Sequence, residues 1–165
     1  MLILKNSFLV LVALLIWGLP LLACDNSTDG FGIFLKETGE LVISDKHIKA
    51  YHANTHEIEL NEEGISKWNS YMTYETIPQL VQTLYNQEFV LKVDGEEMYR
   101  GKFWSMASSA IPDSIVIEET LFKLEDNKNT IQIKYGYPIP DNSYTEDIIN
   151  NPKVLRFFEK KGLLQ

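Results

Sequence analysis

All three histidines of the chain, His47, His52 and His56, fall within ten residues, beside Asp45 and Glu57. Neutral imidazoles completed by a carboxylate form a zinc-ligand set. His52 and His56 would share one face only if the residues between them were helical. Asn54-Thr55 running into the alternating stretch Glu57-Ile58-Glu59-Leu60 speaks for a loop instead, so no metal is assigned and the cluster stands as the alternative. A proton sensor is a further reading, because imidazole titrates near neutrality. Ser108 and Ser109 lie in a small-residue stretch after Trp104. A serine nucleophile needs a histidine in hydrogen-bond reach and a third group to orient it. No G-x-S-x-G turn supplies that context, so a hydrolase is the weakest alternative and no catalytic residue is assigned. Glu96, Glu97, Glu118 and Glu119 could pair as acid and base across strands. Their places beside turns favour exposed, ionised side chains.

Neither a P-loop nor a G-x-G-x-x-G turn is present, so no phosphate chemistry and no cofactor is expected. Aromatics are numerous, and most belong in a core. Tyr99, Phe103 and Trp104 are close enough in sequence to form a partner-binding patch at a sheet end. The chain has 15 Lys and Arg against 23 Asp and Glu, a formal charge of −8. A nucleic-acid binder needs a basic footprint, and none is visible.

The elements that must position these groups follow from local pattern. Phe31–Leu35 and Leu41-Val42-Ile43 read as a hairpin turned by Glu37-Thr38-Gly39-Glu40. Ser44 can cap a short helix carrying Ile48 and Tyr51. Glu57–Leu60 is a half-buried strand, and Asn61 caps a helix whose Ile65, Trp68 and Met72 face the sheet. A second helix is predicted from Ile77 to Asn86, with Pro78 in its first turn and an apolar stripe of Leu80, Val81 and Leu84.

Phe89–Val93, Asp94-Gly95 and Glu96–Trp104 form the clearest hairpin, with Leu91 expected opposite Met98. Gly101 in the return strand marks a bulge or a close backbone approach. Ser114–Glu118 and Thr130–Tyr135 add two strands. In the second, Ile131, Ile133 and Tyr135 face inward while Thr130, Gln132 and Lys134 face water. Pro152 opens a last helix with Val154, Leu155 and Phe158 buried, and Lys160, Lys161 and Gly162 at its end. The sum is an α+β fold: a mainly antiparallel sheet of five to seven strands with helices packed mainly on one face.

The start of the chain has a different character. Lys5 opens a run in which Ser7 to Ala23 carry no charge, ending Leu21-Leu22-Ala23-Cys24 before the polar stretch 25–30. A positive start, an apolar run and a small residue at the cut describe an export signal. The motif resembles the lipobox of bacterial lipoproteins, although Leu22 is bulkier than the usual residue and Lys5 alone supplies positive charge. The resemblance implies cleavage before Cys24 and lipidation of that residue.

On this reading, residues 1–23 are the signal peptide, 24–30 the lipidated cysteine and a tether, and 31–165 one α+β domain. An uncleaved spanning anchor is the alternative, at the short edge of the spanning range and weakened by Gly18 and Pro20. A buried core helix is the third, but this run has no polar face. Cys24 is the only cysteine, so no intramolecular disulfide can form.

Without the leader the balance is 14 against 23, or −9. Such a charge is repelled by anionic lipid, so acyl chains rather than electrostatics would hold the protein to the membrane. Asp25 after Cys24 resembles the signal that retains enterobacterial lipoproteins at the inner membrane. The expected place is therefore the extracytoplasmic face of the cell membrane, the periplasmic side of the inner membrane in a Gram-negative cell.

Residues 57–104 bear a fainter likeness. The order strand, Leu60-Asn61-Glu62-Glu63-Gly64, helix, then Phe89–Val93 with Asp94-Gly95-Glu96 resembles the extracytoplasmic repeat of the SecD translocase subunit. Gly101-Lys102-Phe103-Trp104 departs from that repeat's return strand, and no transmembrane bundle follows. The likeness implies a docking module for other polypeptides. The sequence thus points to a lipid-anchored, extracytoplasmic protein that docks an envelope partner rather than performs catalysis, with metal binding by His47, His52 and His56 or hydrolysis as alternatives.

Overall fold

The computed structural model describes residues 29–76, 79–82, 84–105, 108–119, 123–136 and 149–165. The leader and Cys24 lie outside them. Two short antiparallel units open the fold. Strand β1 (Phe31–Leu35) pairs with β2 (Leu41–Ser44), and Ile33 lies opposite Ile43. A three-residue 3-10 turn, Asp45–His47, then leads into β3 (Ile48–His52), which pairs with β4 (Glu57–Leu60).

Helix α1 (Glu62–Asn69) starts where expected: the Asn61 side-chain oxygen accepts the Gly64 N–H at 2.9 Å, and Trp68 is buried. β5 (Met72–Thr76) and β6 (Gln79–Gln82) form a separate two-stranded sheet. β7 (Glu88–Val93) and β8 (Glu96–Ser105) flank the Asp94-Gly95 turn, where φ is +48° and +79°. Two successive positive φ values define the primed turn that suits the twist of a hairpin. β9 (Ile115–Glu119), β10 (Thr130–Tyr135) and α2 (Pro152–Lys161) complete the described elements.

Eight strands form one curled sheet in the order β2-β1-β7-β8-β9-β10-β4-β3. Its two outermost strands, β2 and β3, are joined by only the three residues 45–47. So short a link spans at most about 14 Å, so the sheet has to roll until its edges approach. The C-terminal end seals what remains. Leu163 and Gln165 exchange backbone hydrogen bonds with Tyr51 of β3 at 2.8 and 2.9 Å, and the Gln165 carbonyl accepts the Ala53 N–H at 3.0 Å. Phe158 of α2 stacks on Tyr51 at 4.6 Å and tilts against Phe31 of β1 at 4.9 Å, bridging strands from opposite ends of the sheet order.

The expected α+β fold is therefore corrected. The sheet has more strands than expected, it is mixed rather than antiparallel, and among the described residues only two short helices accompany it. Three local causes account for the difference. Ile48 and Tyr51 fit a helical spacing, yet Ile48, Ala50 and His52 also fit alternation, and the strand won. Leu80, Val81 and Leu84 fit a helical stripe, but β5 rich in Thr and Tyr gives 79–82 a partner for an antiparallel hairpin. Pairing outside the segment thus overrode the local pattern. Ile77 and Pro78 of the expected helix lie outside the described residues.

The third cause is β9, which runs parallel to β8, with Lys102 opposite Val116 and Trp104 opposite Glu118. A parallel strand is usually buried on both faces and reads as an unbroken apolar run, as Ile115-Val116-Ile117 does. Gly101 makes this junction possible by its close approach: a β-carbon there would sit 2.2 Å from the Ile115 carbonyl oxygen and 2.7 Å from the Phe89 ring. A register shift between Leu91 and Lys92 places Tyr99, not Met98, opposite Leu91.

Candidate functional site

The three histidines are sent to three different neighbourhoods. His47 closes the β2–β3 turn: its Nδ1 accepts the Ser44 backbone N–H at 3.0 Å, and its Nε2 lies 3.8 Å from the Glu63 carboxylate. Burial holds this imidazole below its ordinary pKa, with Lys67 and Lys46 adding to that and Glu63 and Asp45 opposing it. His52 Nε2 lies 3.7 Å from Glu59. Glu59 itself is held below the usual carboxylate range, chiefly by the hydrogen bond that Lys49 Nζ donates to it at 2.7 Å. His56 has φ +54° and its Nδ1 is 3.1 Å from the Tyr51 hydroxyl. Among the described residues no three His, Cys, Asp or Glu side chains are placed to share a metal ion. The zinc alternative on His47, His52 and His56 therefore lacks the convergence it needs.

Ser108 does not meet a histidine either. Its Oγ accepts hydrogen bonds from the Tyr85 hydroxyl at 3.1 Å and from the Ala110 N–H at 3.3 Å. Ser109 is exposed. Glu96 pairs with Lys153 and Glu97 with Arg100, both on the surface.

Tyr99, Phe103 and Trp104 were expected to face a partner, but all three are buried, none more than 7 % exposed. They form no surface patch. Phe103 packs between Phe89 and Trp68, at 5.4 and 6.1 Å. Burial raises the Tyr99 hydroxyl well above its ordinary pKa.

One polar cluster is deeply placed. Lys134 of β10 hydrogen-bonds Glu118 of β9, with side-chain exposures of 10 % and 16 %. Trp104, in register beside Glu118, is 7 % exposed. Its indole N–H and the second Glu118 oxygen have no hydrogen-bond partner among the described residues. The sequence placed Lys134 on a wet face and Glu118 beside a turn. The signal that could have shown otherwise is the apolar run before Glu118, which marks a strand covered on both sides.

An open groove lies elsewhere. A groove of about 780 Å³ follows β1, floored by Phe34, Leu41 and Val90 and edged by Lys36, Lys46 and Lys92 together with Asp29 and Asp45. Leu41 is 38 % exposed, a large apolar side chain at the sheet's edge strand. Lys92 Nζ lies 5.4 Å from the Phe34 ring centre, over its face. The apolar floor suits an extended segment that brings an apolar side chain to it, between charges of both signs.

No protein family, no curated protein and no solved structure matches the chain.

Proposed function

We propose that this protein is a lipid-anchored module on the extracytoplasmic face of the cell membrane that works by docking another envelope protein. The observation that carries the reading is Leu21-Leu22-Ala23-Cys24, separated by a few polar residues from the first strand of the fold. The SecD-like order of residues 57–104 supports the docking role. Because Tyr99, Phe103 and Trp104 are buried, the contact proposed here is the groove along β1. There a partly apolar segment would meet Phe34, Leu41 and Val90.

The test is a photo-crosslinking residue in place of Leu41 in the full chain, expressed in its own cells. One dominant adduct is expected, lost when Phe34→Glu is added and retained when the distant Ile111 is changed to Ser. No adduct above background, or an adduct pattern indifferent to Phe34→Glu, would refute docking at this groove.

A further inference from the structure

One wall of the groove along β1 is the turn that joins β2 to β3: Ser44, Asp45, Lys46 and His47 all line it. How that turn is fastened sets the shape of the wall. On its β3 side it is tied to the start of α1. The Asn61 N–H donates to the His47 carbonyl at 3.0 Å, and the Asn61 side-chain amide donates to the Lys46 carbonyl at 2.7 Å. Gly64 packs so closely that a β-carbon there would sit 2.3 Å from the His47 carbonyl oxygen. These contacts join backbone and amide groups, which do not titrate.

On the groove side the fastening is an imidazole. His47 Nδ1 accepts the Ser44 backbone N–H at 3.0 Å, and Ser44 is the residue of β2 that pairs with Gly32 of β1. A backbone N–H can only donate, so Nδ1 presents its lone pair, and the neutral ring carries its proton on Nε2. That nitrogen lies 3.8 Å from the Glu63 carboxylate of α1.

A second proton would go to Nδ1 and point at the Ser44 N–H, turning an attraction into a repulsion. The Ser44 hydroxyl oxygen, 3.3 Å away, can still accept from the protonated nitrogen, but the backbone N–H loses its acceptor. The charged ring is at the same time drawn toward Glu63, onto α1.

The charged groups around the ring are Glu63 and Lys67 from α1, with Asp45 and Lys46 from its own turn. Lys161 of α2 reaches this turn through Asp45 at 3.0 Å. Burial, helped by the two nearer lysines, outweighs the two acids and keeps the ring neutral at neutral pH. Mild acid is therefore what changes its state.

We infer that His47 is a proton-operated latch on the groove: neutral, it holds the Ser44 wall in place for a docked segment, and protonated, it releases both. The inference rests on the docking proposed above and adds its regulation. One hydrogen bond lost from the wall corresponds to an about fivefold weaker hold.

Two readouts separate the latch from the docking. In the full chain, isotope-labelled and held in detergent micelles, the scalar coupling across the Ser44 N–H to Nδ1 bond should be present at about pH 7.5 and lost at about pH 5. In intact cells, the photo-crosslinking residue in place of Leu41 should give about fivefold less of its dominant adduct at the lower pH. His47→Asn, whose amide oxygen can take the Ser44 N–H at either pH, should bring the ratio of the two yields near unity. Glu63→Gln, at an exposed position on α1, should move both changes to lower pH, because it removes the carboxylate that favours the charged ring.

A coupling that survives at about pH 5 overturns the latch and leaves the docking standing. A coupling that is lost while the adduct yield stays the same overturns control of the groove, again without touching the docking. No adduct at either pH overturns the docking and this inference with it.

Discussion

Replacing Lys134 by Met tests how the β8–β9–β10 region is held together. The pair with Glu118 is largely withdrawn from water, with 10 % and 16 % of the side chains exposed, and one Glu118 oxygen already lacks a partner among the described residues. Removing the ammonium leaves a carboxylate that is neither solvated nor neutralised. Breaking a buried pair in this way costs about 3–5 kcal/mol. The residual exposure argues for the lower end, about 3 kcal/mol. At a urea m-value of about 2 kcal/mol per molar, the unfolding midpoint should fall by about 1.5 M.

Trp104 lies beside the pair and Trp68 is buried in the core, so tryptophan fluorescence in a urea titration follows the transition. The unpaired carboxyl can escape its cost by taking up a proton. The deficit of Lys134→Met should therefore shrink as pH falls toward the carboxylate range. Replacing both residues, Lys134→Met with Glu118→Leu, should recover the loss or exceed it, because two apolar side chains need no compensation. A single-variant loss under about 1 kcal/mol would refute the reasoning, since that is what a solvated surface pair contributes. A double variant as unstable as the single one would refute it equally.

His47 makes the fold sensitive to mild acid. Its folded pKa lies below the ordinary 6.5 because of burial, so protonation favours the unfolded chain. Its contribution is present above pH 6.5 and is lost as pH falls through the folded value. Urea midpoints should thus drop from pH 7.5 to 5 more in the parent than in His47→Asn, whose amide oxygen can still accept the Ser44 N–H; equal slopes would contradict this. Gly101→Ala should cost about 3 kcal/mol or more, because the added carbon meets backbone at the β8–β9 junction as well as the Phe89 ring. A melting temperature unchanged by that substitution would show that β9 does not approach as described. Gly95→Ala should cost about 1 kcal/mol through its positive φ, read as a small fall in the same melting temperature.

What the sequence disclosed well was local. The Asp94-Gly95 hairpin, the Asn61 cap and the Asn151-Pro152 helix start were legible because each depends on the chemistry of a few adjacent residues. What it concealed was long-range. The apolar run Ile115-Val116-Ile117 hints at a covered strand but does not name β8 as its parallel neighbour, and the pairings of β9 with β8 and β10 bring Trp104, Glu118 and Lys134 together. The three-residue spacing of Ile48 and Tyr51 fits a helix as well as a strand over so short a stretch, and β4 supplies the partner that makes it a strand. The histidines were close in sequence but were separated by a strand and a loop, which pointed their rings at Ser44, Glu59 and Tyr51. The groove along β1 joins residues from three strands and had no linear signature.

The intact mass of the protein extracted from its own membranes tests the central claim most directly. A chain that begins at Cys24 and carries the added mass of a diacylglyceryl group is the result predicted here. A chain that retains residues 1–23, with a free thiol at Cys24, would contradict the anchor and the docking role built on it.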